Sequence, residues 1–146
     1  MTGKIYLDSC CFNRPFDDQI QPKVRFETQA KLFIQGLVLN KEIKLVWSYV
    51  LKFENSRNIF EAKRNAIARW ENLSAQFVNA SAGIIADAEE IARTGVAALD
   101  ALHIACAIAA GCDYCVTVDK RMLKYQDKRI VICSPIEFLN RYFEML

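Results

Sequence analysis

Apolar residues in this chain fall into two kinds of block. Short runs of three to five residues are bounded by polar or turn-forming residues. They are Lys4–Leu7 (K-I-Y-L), Ile43–Trp47 (I-K-L-V-W), Phe77–Asn79, Tyr114–Val118 (Y-C-V-T-V) and Arg129–Cys133. Runs of this length read as strands. Between them the apolar positions take helical spacing. From Val24 to about Asn40 the residues Phe26, Ala30, Phe33, Ile34, Leu37 and Val38 form one stripe. Tyr49–Asn55 follows Ser48, a good N-cap, and Gly83–Arg93 follows Ser81 in the same way. A longer amphipathic helix is predicted over Ile59–Leu73, and a last one over Ile136–Phe143 behind Ser134-Pro135. Cys11–Asp18 (C-F-N-R-P-F-D-D) reads as a loop, with Pro15 and paired acids. Strands separated by helices imply an α/β fold, a three-layer α/β/α sandwich with a central parallel sheet. One domain is expected over residues 1–146.

The stretch Val96–Ala110 reads V-A-A-L-D-A-L-H-I-A-C-A-I-A-A and is stopped by Gly111. Only Asp100 and His103 are polar, so a buried helix is predicted. An unpaired carboxylate there must neutralise, pair or hold a cation. Three other acids stand out by context. Asp8 and Asp119 end apolar strands, and Glu54 follows Y-V-L-K-F. Sites in parallel sheets lie outside the carboxyl ends of strands, where Asp8 and Asp119 are placed. Carboxylates converging in one pocket repel each other unless cations lie among them, and an all-oxygen set suits Mg²⁺ or Mn²⁺. Such ions generate hydroxide and support in-line displacement at phosphorus, which is the chemistry of metal-dependent nucleases.

Composition changes this picture little, and local charge changes it more. The apolar share of 53% and charged share of 25% are those of a globular protein, and the net charge is only +2. No apolar run has transmembrane length and the N-terminal residues lack a signal-peptide core, so a cytoplasmic protein with no membrane contact is expected. The six cysteines are then expected as reduced, small hydrophobes. Lys41, Lys44, Lys52, Arg57, Lys63, Arg64 and Arg69 form one basic run, and Lys120, Arg121, Lys124, Lys128 and Arg129 another. A basic rim round an acidic centre would suit a nucleic acid; ordinary solvated helix faces would give the same clustering.

Other candidate chemistry is weaker. The C-x-x-C of Cys112 and Cys115 with Cys10-Cys11 makes a poor zinc site. In a parallel sheet those pairs lie at opposite strand ends, roughly 15 Å or more apart. His103 is the single histidine and has no matching nucleophile, so a structural or supporting role on the helix face of Asp100 is expected. A phosphoryl-transfer enzyme with a strand-end Asp nucleophile would place a second Asp two residues on, where this chain has Cys10.

Four segments taken together resemble the PIN domain family, and within it the VapC-type toxin ribonucleases of toxin–antitoxin pairs. They are I-Y-L-D-S at Ile5–Ser9, S-Y-V-L-K-F-E at Ser48–Glu54, L-D-A-L-H-I-A-C-A at Leu99–Ala107 and G-C-D-Y-C-V-T-V-D-K at Gly111–Lys120. Their order spans almost the whole chain. The resemblance implies an endoribonuclease that hydrolyses RNA phosphodiester bonds. Asp8, Glu54, Asp100 and Asp119 would be its catalytic, Mg²⁺- or Mn²⁺-binding quartet, supported by Ser9 and Thr117. Many family members carry a second small polar residue where this chain has Cys10, and the Cys11–Asp18 segment is longer than usual. Asn13, Arg14, Arg57 and Lys120 are candidate substrate contacts, and Asp17 is also within reach. The resemblance further implies a homodimer, through the Val24–Asn40 helix or the aromatic C-terminal helix with Phe138, Tyr142 and Phe143. It also implies an antitoxin whose C-terminal segment lies in the active-site groove. The alternative is a catalytically silent module on the same fold that binds RNA or a protein.

Overall fold

The computed structural model describes residues 3–145. Five strands form one parallel sheet: β1 Gly3–Leu7, β2 Ile43–Ser48, β3 Gln76–Val78, β4 Tyr114–Val116 and β5 Val131–Cys133. Their spatial order is β3-β2-β1-β4-β5. Parallel strands buried on both faces need continuous apolar runs, which is why Ile5, Tyr6 and Leu7 of β1 are fully buried. β1 pairs with β2 through Tyr6↔Val46 and with β4 through Leu7↔Val116. The chain leaves β1 towards β2 and returns to its other side at β4. The crevice beyond the carboxyl ends of β1 and β4 is therefore the topological switch point of the sheet.

Among the described residues eight α-helices connect and cover the strands: α1 Ser9–Asn13, α2 Pro22–Leu39, α3 Tyr49–Ser56, α4 Glu61–Leu73, α5 Ala82–Arg93, α6 Ala98–Ala109, α7 Lys120–Leu123 and α8 Pro135–Glu144. Alternate residues of a strand face opposite sides. Tyr6 faces α6, its ring centroid 5.6 Å from that of His103. Trp47 faces α1, its centroid 4.9 Å from Phe12. The caps match the sequence: Ser48, Ser81 and Ser134 accept from the backbone N–H of Leu51, Ile84 and Glu137. Gly111, at φ 74°, ends α6, and its N–H donates to the Ile108 carbonyl.

Three expectations change. Cys11–Asp18 is not a loop, because Ser9–Asn13 is helical and Arg14–Phe16 is a 3-10 turn. The Asp8 side chain caps that short helix by accepting from Cys10 N–H, and Cys11 and Phe12 supply its buried face. The stripe on α2 is also rotated. Phe26 and Phe33 are exposed, whereas the polar Glu27, Thr28, Lys31 and Gln35 are buried beside Val24, Ala30, Ile34, Leu37 and Val38. Arg14, reaching back from the 3-10 turn to Glu27, offers the buried acid a partner at 2.9 Å. Finally, α6 is buried from Ala101 onward but not at its start. Ala98 and Leu99 are exposed and Asp100 is half-buried in the first turn.

Candidate active site

Four acids arrive at the switch point from four parts of the chain. Asp8 follows β1, Asp119 follows β4, Glu54 lies on α3 behind β2, and Asp100 opens α6. Asp8 is only 3% exposed and tightly held. Its Oδ1 accepts from Cys10 N–H at 2.8 Å and its Oδ2 from the Thr117 hydroxyl at 2.7 Å. Thr117 Oγ1 also accepts from Asp119 N–H at 3.1 Å, so one buried hydroxyl sets the spacing of two acids. Asp119 caps α7 by accepting from Arg121 N–H at 2.8 Å. The thiol of Cys10 lies 3.5 Å from Thr117 Oγ1 and 3.5 Å from Val118 N. It thus fills the small polar position two residues after Asp8.

Glu54 is oriented from two sides. Ser9 Oγ donates to its Oε2 at 2.8 Å, and His103 Nε2 is hydrogen-bonded to its Oε1. An ionised carboxylate can only accept, so Nε2 carries the proton. The His103 Nδ1 meets the Tyr6 hydroxyl at 2.6 Å, and that hydroxyl meets Ser48 Oγ at 2.7 Å. Burial alone would raise the Glu54 pKa, but the hydrogen bonds and charge of His103 and the bond from Ser9 bring it below the ordinary glutamate value. Burial disfavours a charged His103, yet Glu54, Asp8 and Asp100 together raise its pKa. The expected supporting role of His103 thus has a physical form, a fully buried ring that aims Glu54.

Asp100 differs from the other three. Its carboxylate accepts no hydrogen bond from the described residues, and its pKa is raised by burial and then by the charges of Asp8 and Asp119. A half-buried acid repelled by its neighbours is what a cation would stabilise. The donor set is all carboxylate and hydroxyl oxygen, which fits a hard divalent ion. The carboxylates do not close on one point: among the described residues no three His, Cys, Asp or Glu side chains stand ready to hold one ion. Mg²⁺ commonly keeps several waters and takes only one or two carboxylates, so an open set of oxygens remains compatible with it.

Beside Glu54 the surface opens into a cleft of about 280 Å³ whose walls include Ser9, Asn13, Glu54, Arg57 and Lys63. Of the candidate substrate contacts, Asn13 and Arg57 therefore border the site, and Lys120 is exposed directly after Asp119. Arg14 does not join them. It is ion-paired with Asp17 at 3.0 Å and Glu27 at 2.9 Å. The basic rim is also narrower than its sequence run. Lys41 and Lys44 lie at the amino end of β2, far from the acids, and Arg129 is bound to Asp127 and Asp87. Tyr6 and Asn55 were not legible as site residues, since Tyr6 looks like strand core and Asn55 like a helix end.

The family model for the PIN domain matches residues 5–128, which contain all four acids. The chain belongs to the PIN domain family. PIN domains are generally nucleases. No curated protein sequence matches the chain. Among solved structures, a chain of VapBC2 from Rickettsia felis, bound to a DNA fragment from their promoter, has a similar fold. Its TM-score is 0.54 at 13% identity, over 88% of this chain and 96% of that one. At that identity the likeness concerns the fold alone. The PIN fold thus places Asp8, Glu54, Asp100 and Asp119 at one end of one sheet. No helix among the described residues is long and apolar enough to cross a membrane.

Proposed function

We propose that the protein is a divalent-metal-dependent endoribonuclease that hydrolyses RNA phosphodiester bonds, and the toxin of a toxin–antitoxin pair. The observation that carries the enzymatic reading is the convergence of Asp8, Glu54, Asp100 and Asp119 at one sheet end. There Asp100 is half-buried, accepts no hydrogen bond from the described residues, and has its pKa raised by burial and then by the charges of Asp8 and Asp119. A silent binding module has no use for such repulsion, whereas a cation-dependent hydrolase needs it.

Asp8, Asp100 and Asp119 would hold Mg²⁺ or Mn²⁺, with Glu54 contributing directly or through water. Held there, the ion would supply activation of water for in-line hydrolysis at phosphorus. The chain supplies the rest. Thr117 fixes Asp8 and Asp119 relative to one another, and Ser9 and His103 keep Glu54 ionised and aimed. Arg57, Lys63 and Lys120 offer cations to the backbone phosphates of RNA. The family resemblance implies that the P–O3′ bond breaks and the 3′-oxygen leaves with a proton, which gives 5′-phosphate and 3′-hydroxyl ends. The partner readings follow from the VapC-type resemblance: an antitoxin segment over the acidic groove, and a second copy of the chain against α2 and α8. A cytoplasmic location accords with these partners.

Cleavage of total cellular RNA with Mn²⁺ and end mapping tests the reading. The unsubstituted protein should cut, and Asp8→Asn and Asp100→Asn should each lose about 10²-fold or more in rate, as when a metal-ligating or oriented carboxylate is lost. Unchanged cleavage in both variants would sink the enzymatic assignment.

A further inference from the structure

The walls of the cleft beside Glu54 hold more than the proposed reaction requires. Phe60 stands at the start of α4 and is 62% exposed, and Phe16 of the 3-10 turn is 49% exposed. Lys63 lies between them, its Nζ 5.3 Å from the Phe16 ring centroid and 5.9 Å from that of Phe60. On the same side Arg57 stands 5.5 Å over Phe53, another exposed ring. Exposed aromatic faces cost free energy in water, and these three are each kept beside a cation. Alternating rings and cations are the elements of a single-strand nucleic-acid platform, with bases on the rings and phosphates on the cations.

The platform is held in place. Asn58 Oδ1 accepts from Phe60 N–H at 3.1 Å, and Arg64 Nη1 donates to the Asn58 carbonyl at 2.9 Å. Asn55 Nδ2 donates to the Arg64 carbonyl at 2.9 Å, which ties α3 to α4. Two groups in the cleft walls remain without partners. The fully buried Trp47 has an Nε1–H with no acceptor among the described residues, and Asn55 Oδ1 has no donor. Both atoms are buried, so the exposed rings and cations, and not these groups, are what the cleft presents to a ligand.

We propose that this cleft is a nucleobase subsite, which takes one unstacked base of a single-stranded RNA next to the phosphate that is cut. The proposal rests on the ribonuclease reading and adds where and in what form the strand is held. The volume is at the small end for a ligand pocket, enough for a base but not for a folded segment. Its walls are interrupted by Asn13, Asn55, Asn58 and two cations. An amphipathic helix would want a continuous apolar groove instead. Glu54 forms one wall, so a base seated here lies within a nucleotide's reach of the acids. A base in a duplex is stacked and cannot enter, so paired RNA should be refused.

Fluorescence anisotropy tests this with a labelled single-stranded RNA dodecamer, the same strand carrying abasic sites, and a duplex. Asp100→Asn protein is used so that the RNA is not consumed. Phe60→Ala in that background should weaken binding of the base-bearing strand roughly tenfold, and Phe60→Trp should restore it. The abasic strand should bind more weakly from the start and be indifferent to Phe60→Ala. Lys63→Gln should weaken both strands and reduce the salt slope by about one. Equal affinity for normal and abasic strands, or no effect of Phe60→Ala, overturns the subsite. If the otherwise unsubstituted protein still cuts RNA in that case, the ribonuclease reading stands and the cleft passes to a protein partner. If the protein neither binds nor cuts RNA, both readings fail together.

Discussion

Asp100 and Lys31 show how single charges are spent in this molecule. Burial and the charges of Asp8 and Asp119 raise the pKa of Asp100, so the ionised form is disfavoured in the fold. Replacing it with Asn should raise the unfolding midpoint of the metal-free protein by a few degrees, at about 2–4 °C per kcal/mol for a chain near this size. Mn²⁺ should stabilise the unsubstituted protein more than Asp100→Asn, and differential scanning fluorimetry measures both. Equal Mn²⁺ shifts in the two proteins would remove Asp100 from the ligand set. Lys31 is a cost of another kind. It is 4% exposed, stands 5.3 Å over the Phe12 ring, and has no ion pair among the described residues. The nearby Glu27 is taken by Arg14, and the buried thiol of Cys11, pushed well up in pKa, adds little charge. Burial lowers the Lys31 pKa from 10.5 to about 8. Between these values the unfolded chain binds more protons than the folded one, so stability should rise with pH across that window and the full cost is present below it. Lys31→Met should therefore stabilise the protein at pH 7 by about 1–3 kcal/mol and flatten that rise, as read from urea unfolding at several pH values.

At the scale of elements, equal caps have unequal weight. Ser134 only caps α8, so Ser134→Ala should cost about 1 kcal/mol, the usual value for a lost cap. Ser48 caps α3 and also meets the Tyr6 hydroxyl in the chain that runs through His103 to Glu54. Ser48→Ala should cost about 1 kcal/mol more, because the buried Tyr6 hydroxyl loses one of its two partners and keeps His103. It should also slow RNA cleavage, which Ser134→Ala should leave unchanged. The same contrast explains what the sequence could show. The five strands and the caps were readable because period, length and cap residues are local properties. The acids Asp8, Asp100 and Asp119 were readable because each is anomalous in its own segment. The α1 helix was not, because N-R-P-F-D-D looks like a turn and the cap that starts it belongs to the preceding strand. The rotation of α2 was hidden because its buried face carries Glu27, Lys31 and Gln35, whose burial depends on Arg14 and Phe12 from elsewhere. The link from Glu54 to Tyr6 crosses three elements, so no spacing rule could have found it.

For the whole molecule, the faces of α2 and α8 that turn away from the sheet carry exposed apolar residues among charged ones. Phe26 and Phe33 of α2 and Phe143 of α8 are about half exposed, and Phe33 and Phe143 meet edge to face with centroids 5.6 Å apart. Contiguous exposed apolar surface of this sort is a usual mark of an interface. If the second copy proposed above sits there, light scattering should find a dimer, and Phe33→Glu should give a folded monomer. A monomer before substitution would remove the homodimer from the functional picture.

The central place of β1 has a consequence in time. It lies between β2 and β4, although β4 comes more than a hundred residues later in the chain. Synthesis at about 5–20 residues per second separates Asp8 from Asp119 by roughly 5–20 seconds. Until then the growing chain has half a sheet and an incomplete set of acids. On the proposed reading, a chain that stops before β4 lacks Asp119 and should not cut RNA.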